Sequence, residues 1–214
     1  MRLVALPALI LLFAGCAAEL RPAPSAKLLP GPGHPALAEA SGVRLVAQVD
    51  QWRGRPANLA GVVTPLLVTI ENESSVPLRI RHTDFALTSA DGARITVRPP
   101  HEIRGAVADP SQPFYGLPRT PAIAARDPSG RVILYDTYPF NPSVDLPRWD
   151  DLPTGDMVQL ALPERVLEPH GRLQGFIYLP LVKRDQSPLD LSATLIDDRS
   201  GSVVTTLHIP FVVE

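Results

Sequence analysis

Apolar and polar residues alternate with a period of two over much of the chain. Val43, Leu45, Ala47 and Val49 alternate with Arg44, Val46 and Gln48, and Leu66, Val68 and Ile70 repeat the pattern. Leu78 and Ile80 then alternate with Arg79 and Arg81, Phe85 and Leu87 follow, and Ile95 and Val97 stand among Arg94, Thr96 and Arg98. The same period returns over 172–179, 189–195 and 203–211. Successive side chains of a strand point to opposite faces, so this period predicts half-buried strands. Turn formers separate the runs: Asn72-Glu73-Ser74-Ser75, Asp91-Gly92, Glu168-Pro169-His170-Gly171 and Asp197-Asp198-Arg199-Ser200-Gly201. Asp91-Gly92 predicts a hairpin. Segment 172–179 is apolar on both faces, Phe176 and Tyr178 against Leu173, Ile177 and Leu179, which predicts a central strand covered on both sides. About eight short strands with almost no helical period predict an all-β fold, two antiparallel sheets packed face to face, with a closed barrel as the competing architecture. Ile70, Phe85, Ile177, Leu195 and Leu207 are the expected core.

Two stretches stand outside the pattern, and composition explains why. The chain has 25 prolines in 214 residues, well above the usual ~5%. Pro22, Pro24, Pro30, Pro32 and Pro35 fall in 16–41, which has no apolar period and reads as a tether, partly polyproline-like. The folded domain is expected over 42–214. Inside it, 99–163 reads as an irregular Pro-rich insert, with a possible strand at 131–135 and, over 154–162, either a short helix capped by Thr154 or a strand.

The amino terminus carries an address. Arg2 precedes an uncharged apolar run from Leu3 to Phe13, then Ala14, Gly15 and Cys16, the only cysteine. A short positive region followed by an apolar segment of this length reads as a signal peptide, residues 1–15, too short for a membrane span. Leu11-Leu12-Phe13-Ala14-Gly15-Cys16 resembles the lipobox of bacterial lipoproteins, with Phe13 where that family usually has leucine. The resemblance implies lipid attachment at Cys16, with the chain cut just before it. Ala17 next to it is not the aspartate of many inner-membrane lipoproteins, so the expected location is the cell envelope, on the outer membrane facing the periplasm. The formal charge of −2 becomes −3 once Arg2 leaves with the signal. That near-neutral balance argues against nucleic acid as a partner.

A second resemblance spans roughly 43–98 and 164–213. Val68-Thr69-Ile70-Glu71-Asn72-Glu73-Ser74 with Pro77-Leu78, Phe85-Ala86-Leu87 with Asp91-Gly92, Leu167-Glu168-Pro169-His170-Gly171 and Gly175-Phe176-Ile177-Tyr178 are similar to exported bacterial proteins carrying an immunoglobulin-like domain of unknown function. His170 before Gly171 departs from their turn by one residue. The resemblance implies an immunoglobulin-like β-sandwich and an export address, and no activity.

Chemistry-bearing residues are scattered. His34, His82, His101, His170 and His208 stand in no zinc-ligand spacing, so no metal or cofactor is expected. Asp150-Asp151 and Asp197-Asp198 are adjacent acids beside turn signals, unlike the separated pair of a glycosidase. No Gly-x-Ser-x-Gly elbow and no phosphate-binding glycine loop occurs. The chain is therefore expected to be a non-catalytic binding or structural module for an envelope protein or cell-wall polymer. An envelope hydrolase or a periplasmic metal carrier would need acids or histidines gathered by the fold. Two sets of residues are candidates for partner binding. Arg79, Arg81, Arg94 and Arg98 point off the strands as a basic strip for anionic lipid or glycan phosphate, or as ordinary solvated faces. Tyr135, Tyr138, Phe140 and Trp149, in the insert with Phe114 and Tyr115, either line a recognition surface or pack the insert down as a satellite core.

Overall fold

A computed structural model describes residues 18–31, 33–114, 123–126, 132–135 and 146–214, with side chains described outside 109–148. Cys16, Tyr138 and Phe140 lie outside these residues, and Tyr135 is described in its backbone alone.

Every run of period two is a strand. The amino-terminal segment adds three more: β1 (Leu20–Pro22), β2 (Lys27–Leu28) and β3 (Ala36–Ala40). The first alternating block gives β4 (Val43–Gln48), β5 (Val63–Asn72), β6 (Leu78–Ile80), β7 (Phe85–Ser89) and β8 (Arg94–Thr96). The insert forms β9 (Gly105–Phe114), β10 (Ile123–Arg126), β11 (Val132–Tyr135), β12 (Leu146–Leu152) and the short helix α1 (Gly155–Leu160). Last come β13 (Arg165–Leu167), β14 (Gly171–Pro180), β15 (Leu189–Asp197) and β16 (Val203–Val213).

Two antiparallel sheets make the sandwich. One has seven strands, with β1, β16 and β15 side by side; β15 then meets β7 along its first half and β6 near its end, with β8 outside β7 and β13 outside β6. The other has five, in the order β14-β5-β4-β3-β2. The sheets are separate, so the fold is a sandwich and not a closed barrel. Their facing sides bury one large cluster that includes Ile70, Phe85, Ile177, Leu195 and Leu207, all at or below 3% exposure. The strand phase read from the sequence is therefore right.

Three expectations need correction. The tether is the first: 20–40 is built into both sheets, with β1 on β16 and β3 on β4. Leu20, Ala36 and Leu37 are buried there, in strands too short and too alanine-rich for their period to stand out. The second is the insert, which is not irregular throughout. β9 pairs with β12 and β10 with β11 as two antiparallel ribbons. Thr154 caps α1, its Oγ1 accepting from the Met157 N–H at 3.4 Å. The third is the position of β14, which is covered on both faces but stands at the edge of its sheet. Both flanks of the insert close that edge: the Arg98 N–H donates to the Tyr178 carbonyl and the Leu162 N–H to the Phe176 carbonyl, each at 2.8 Å. An edge strand left with open backbone groups invites pairing with other chains, and here the insert supplies the cover.

Gly175 permits this closure. A β-carbon built there would lie 2.4 Å from Leu162 Cα and 2.5 Å from its nitrogen, so only glycine lets the segment after α1 cross so closely. The turn into β14 works differently. His170, not Gly171, adopts the left-handed conformation, at φ 62, and its N–H donates to the Asn72 carbonyl at 2.6 Å. Asn72 is fully buried at the end of β5; its amide donates to the Val76 and Leu167 carbonyls while its Oδ1 accepts from the Ser74 N–H. One side chain thus ties the Ser-rich turn to β13.

Candidate functional site

A second apolar cluster lies on the outer face of β5 and β14, opposite the sandwich core. Leu67, Phe176 and Tyr178 point outward there and meet Trp52, Leu59, Ile103, Val107, Leu152 and Met157. It is the footing of the insert. The Trp52 ring stands edge-on to Phe176 at 5.1 Å and to Tyr178 at 6.1 Å, in the arrangement that aromatic quadrupoles favour. Its indole N–H donates to the Pro56 carbonyl at 2.8 Å, and the Tyr178 hydroxyl donates to the Met157 carbonyl at 2.9 Å, so both polar tips are satisfied in the core. Burial, and secondarily the Asp156 carboxylate, push the Tyr178 hydroxyl well above its ordinary pKa. Asp156 also accepts from the Arg55 N–H at 2.7 Å, and Thr154 donates to the Arg55 carbonyl at 2.6 Å. α1 therefore clasps the 52–56 loop onto β14.

Alternation along the β9–β12 ribbon decides the fate of the insert's tryptophan. Leu152 and Val107 face the footing and are buried. Trp149 falls on the other face and stays 65% exposed, while the Ala108 carbonyl opposite it accepts from the Asn58 side chain at 2.7 Å. The ribbon is thus seated through one face and presents Trp149 on the other. Of the four insert aromatics named as partner-binding, Trp149 is the one whose side chain is described, and it is free of the core.

The basic strip does not form. Arg79 and Arg94 share the outer face of the seven-stranded sheet, but Arg79 sits opposite Ile196 and Arg94 opposite Thr88, which faces Asp190. Those positions on β15 are six residues apart, roughly 20 Å at ~3.4 Å per residue. The Arg81 guanidinium pairs with Asp84 at 3.2 Å. Arg98 has left that sheet for the edge of β14. Sequence proximity placed the four together; distance along β15 separates Arg79 from Arg94, and the crossing to the other sheet removes Arg98.

The histidines do not converge either. His82 is buried, its Nε2 2.9 Å from the Leu162 carbonyl and its Nδ1 3.3 Å from Glu164. His170 meets Glu73 at 3.2 Å and His208 meets Asp190 at 2.6 Å. Among the described residues no group of three or more His, Cys, Asp and Glu is placed to hold a metal ion.

Two acids that the sequence reading left apart do meet. Glu19 and Asp50 are hydrogen-bonded to each other beside a cavity of about 240 Å³ that Ala18, Arg53, Ala60 and Leu181 also line. Burial, then the hydrogen bond it donates to Glu19, raise the Asp50 carboxyl; the Arg21 guanidinium, 2.9 Å away, lowers that of Glu19. Two carboxyls in contact are too close for glycoside chemistry, because flanking a scissile glycosidic bond takes ~5 Å or more between them. Glu19 is moreover committed to Arg21, which also reaches Glu214 at 3.3 Å. The pairing was invisible in the sequence because Glu19 fell in the supposed tether. Its one local signal is Asp50 itself, in left-handed conformation at φ 55, where β4 ends. A smaller cavity of about 150 Å³ adjoins through Leu181, between Val62, Arg98 and Arg104.

No helix among the described residues is long and apolar enough to cross a membrane. Comparison of the chain with protein-family models, with curated proteins and with solved structures found no match.

Proposed function

We propose that the chain is a non-catalytic bacterial envelope lipoprotein, anchored through Cys16 in the outer membrane and facing the periplasm. Its immunoglobulin-like sandwich holds the insert out as a recognition element for an envelope protein or cell-wall polymer. The observation that carries this reading is the seating of the insert. A three-ring footing and two backbone bonds to β14 hold its base, and the ribbon rising from it turns Trp149 to solvent at 65% exposure. Holding a tryptophan in water on an ordered ribbon is unfavourable unless something else covers it. Tryptophan is also the residue type most enriched among side chains that dominate binding.

Two measurements test the reading. Cys16→Ser should abolish partitioning into the detergent phase or leave the precursor uncut; unchanged partitioning refutes lipid anchoring. A photo-crosslinking residue at Trp149 should capture one defined envelope protein or a glycan in living cells, and one at Val203 should not. Equal or absent labelling at the two positions refutes the recognition role.

A further inference from the structure

β1 fixes where a lipid on Cys16 has to enter the bilayer. Glu19 and Glu214 exchange both backbone hydrogen bonds at 3.0 Å, Leu20 pairs with Val213, and Ala18 packs on the sandwich core. Two peptide links separate Cys16 from Ala18, at most about 7.6 Å between α-carbons at ~3.8 Å per link. That length leaves no room for a tether, so the surface around Ala18 is the one turned to the membrane.

This surface has the composition of a lipid-facing one. Ala18 shares the larger cavity with Ala60, Leu181 and Arg53; Leu181 in turn shares the smaller one with Val62, Arg98 and Arg104. Leu181 is 46% and Val62 40% exposed, in contrast to the covered apolar residues of both cores. Arg53 donates to the Asp50 and Trp52 carbonyls and Arg104 to the Ile103 carbonyl. Those bonds go to neutral acceptors; of the nearby acids, Asp50 lies close enough to Arg53 to feel its charge, and Glu19 and Glu214 are both held by Arg21.

We propose that this end of the sandwich docks directly on an anionic phospholipid surface, with Ala60, Val62 and Leu181 entering the headgroup layer and Arg53, Arg98 and Arg104 meeting lipid phosphates. The proposal rests on anchoring at Cys16 and replaces the strip of Arg79, Arg81, Arg94 and Arg98 as the lipid-facing surface. It also gives the domain one orientation. Val203 begins β16, ten residues from Val213, roughly 33 Å away at ~3.3 Å per residue, and therefore points into the aqueous phase.

The test uses the full chain in phosphatidylglycerol–phosphatidylethanolamine vesicles, with one introduced cysteine carrying a fluorophore at Leu181→Cys or at Val203→Cys. It is run on the chain purified from cells and on Cys16→Ser, so the orientation is read whether or not Cys16 carries lipid. The mass of the amino-terminal peptide reports the lipid separately. A lipid-borne nitroxide should quench the Leu181 label several-fold more than the Val203 label. High salt or the Arg53→Glu/Arg104→Glu pair should shrink that difference, as expected for charges at an anionic surface. Equal quenching at the two positions, or a difference that ignores both salt and charge reversal, overturns the docking surface. An unmodified amino terminus refutes the anchoring while leaving the orientation result to stand or fall on its own.

Discussion

The two apolar clusters of this molecule are built by opposite means. The cluster between the sheets is mostly aliphatic, and nearly all of it comes from strands whose side chains alternate. The cluster outside β14 is centred on three aromatic rings, and most of its cover comes from a loop, a one-turn 3₁₀ segment, a ribbon and a six-residue helix. β14 belongs to both, giving Ile177 and Leu179 to the first and Phe176 and Tyr178 to the second. Period-two burial can fill a sandwich from any sequence of the right pattern. Seating an irregular element takes specific close fits: Gly175 under Leu162, Trp52 against two rings, a tyrosine hydroxyl on a helix carbonyl.

Damage to the first cluster should be severe. Ile70→Ala removes a fully buried side chain between the sheets and should cost ~2–5 kcal/mol, read as a lowered midpoint in urea denaturation. Both clusters should be lost in one transition, because β14 is common to them. A separate early transition would show the footing to be an independent unit.

Gly175→Ala should come next. Its β-carbon would fall 2.4 Å from Leu162 Cα, and relieving such an overlap in packed structure costs ~1–3 kcal/mol. The strain falls at the joint between the insert and β14. Limited proteolysis should therefore cut within 99–163 sooner than in the parent, with the sandwich fragment persisting. Cleavage at parental rates would place the joint elsewhere.

How far the sequence could be read follows the same division. The alternating runs are strands in the expected phase, because a strand against a core has one repeating local rule. β1 to β3 were missed since burial there falls on alanines and a few leucines among prolines, and their partners lie far along the chain: Leu20 meets Val213. The footing was half legible. The apolar outer face of β14 announced that something covers it, but that Trp52 and Met157 do so depends on chain crossings that no period records. The Glu19–Asp50 contact has the same long-range character. Trp149 was flagged by composition alone; its outward direction follows from ribbon pairing.

Tyr178→Phe probes the footing more gently. It leaves the ring contacts and removes the hydroxyl that the Met157 carbonyl accepts, a loss of about 1 kcal/mol near neutral pH. The pH dependence carries the sharper signature. In the unfolded chain the hydroxyl releases its proton near pH ~10, whereas burial in the folded chain holds it to higher pH. Above that point the folded state binds more protons than the unfolded one, so stability falls as pH rises. The tyrosine's contribution is complete below pH ~10 and fades above it. The gap between parent and Tyr178→Phe in chemical denaturation should narrow in alkali. A gap that stays constant through that range would mean the hydroxyl is open to water.

The smallest effect on stability should come from Trp149→Ala, and comparison with Trp52 separates the two roles assigned to the chain's tryptophans. Trp52 belongs to the footing: it is 7% exposed, edge-on to two rings and hydrogen-bonded at its nitrogen. Trp52→Ala should cost ~3–5 kcal/mol. Trp149 stands on the far face of the β9–β12 ribbon at 65% exposure, and a surface substitution of this kind stays within about 0.5 kcal/mol. If recognition runs through the insert, Trp149→Ala should leave the melting curve in place and still lose the partner captured by crosslinking from a neighbouring position such as Asp151. If it instead lowers the melting temperature by several degrees, the ring is part of the packing, and the insert is a brace for the β14 edge with no recognition role of its own.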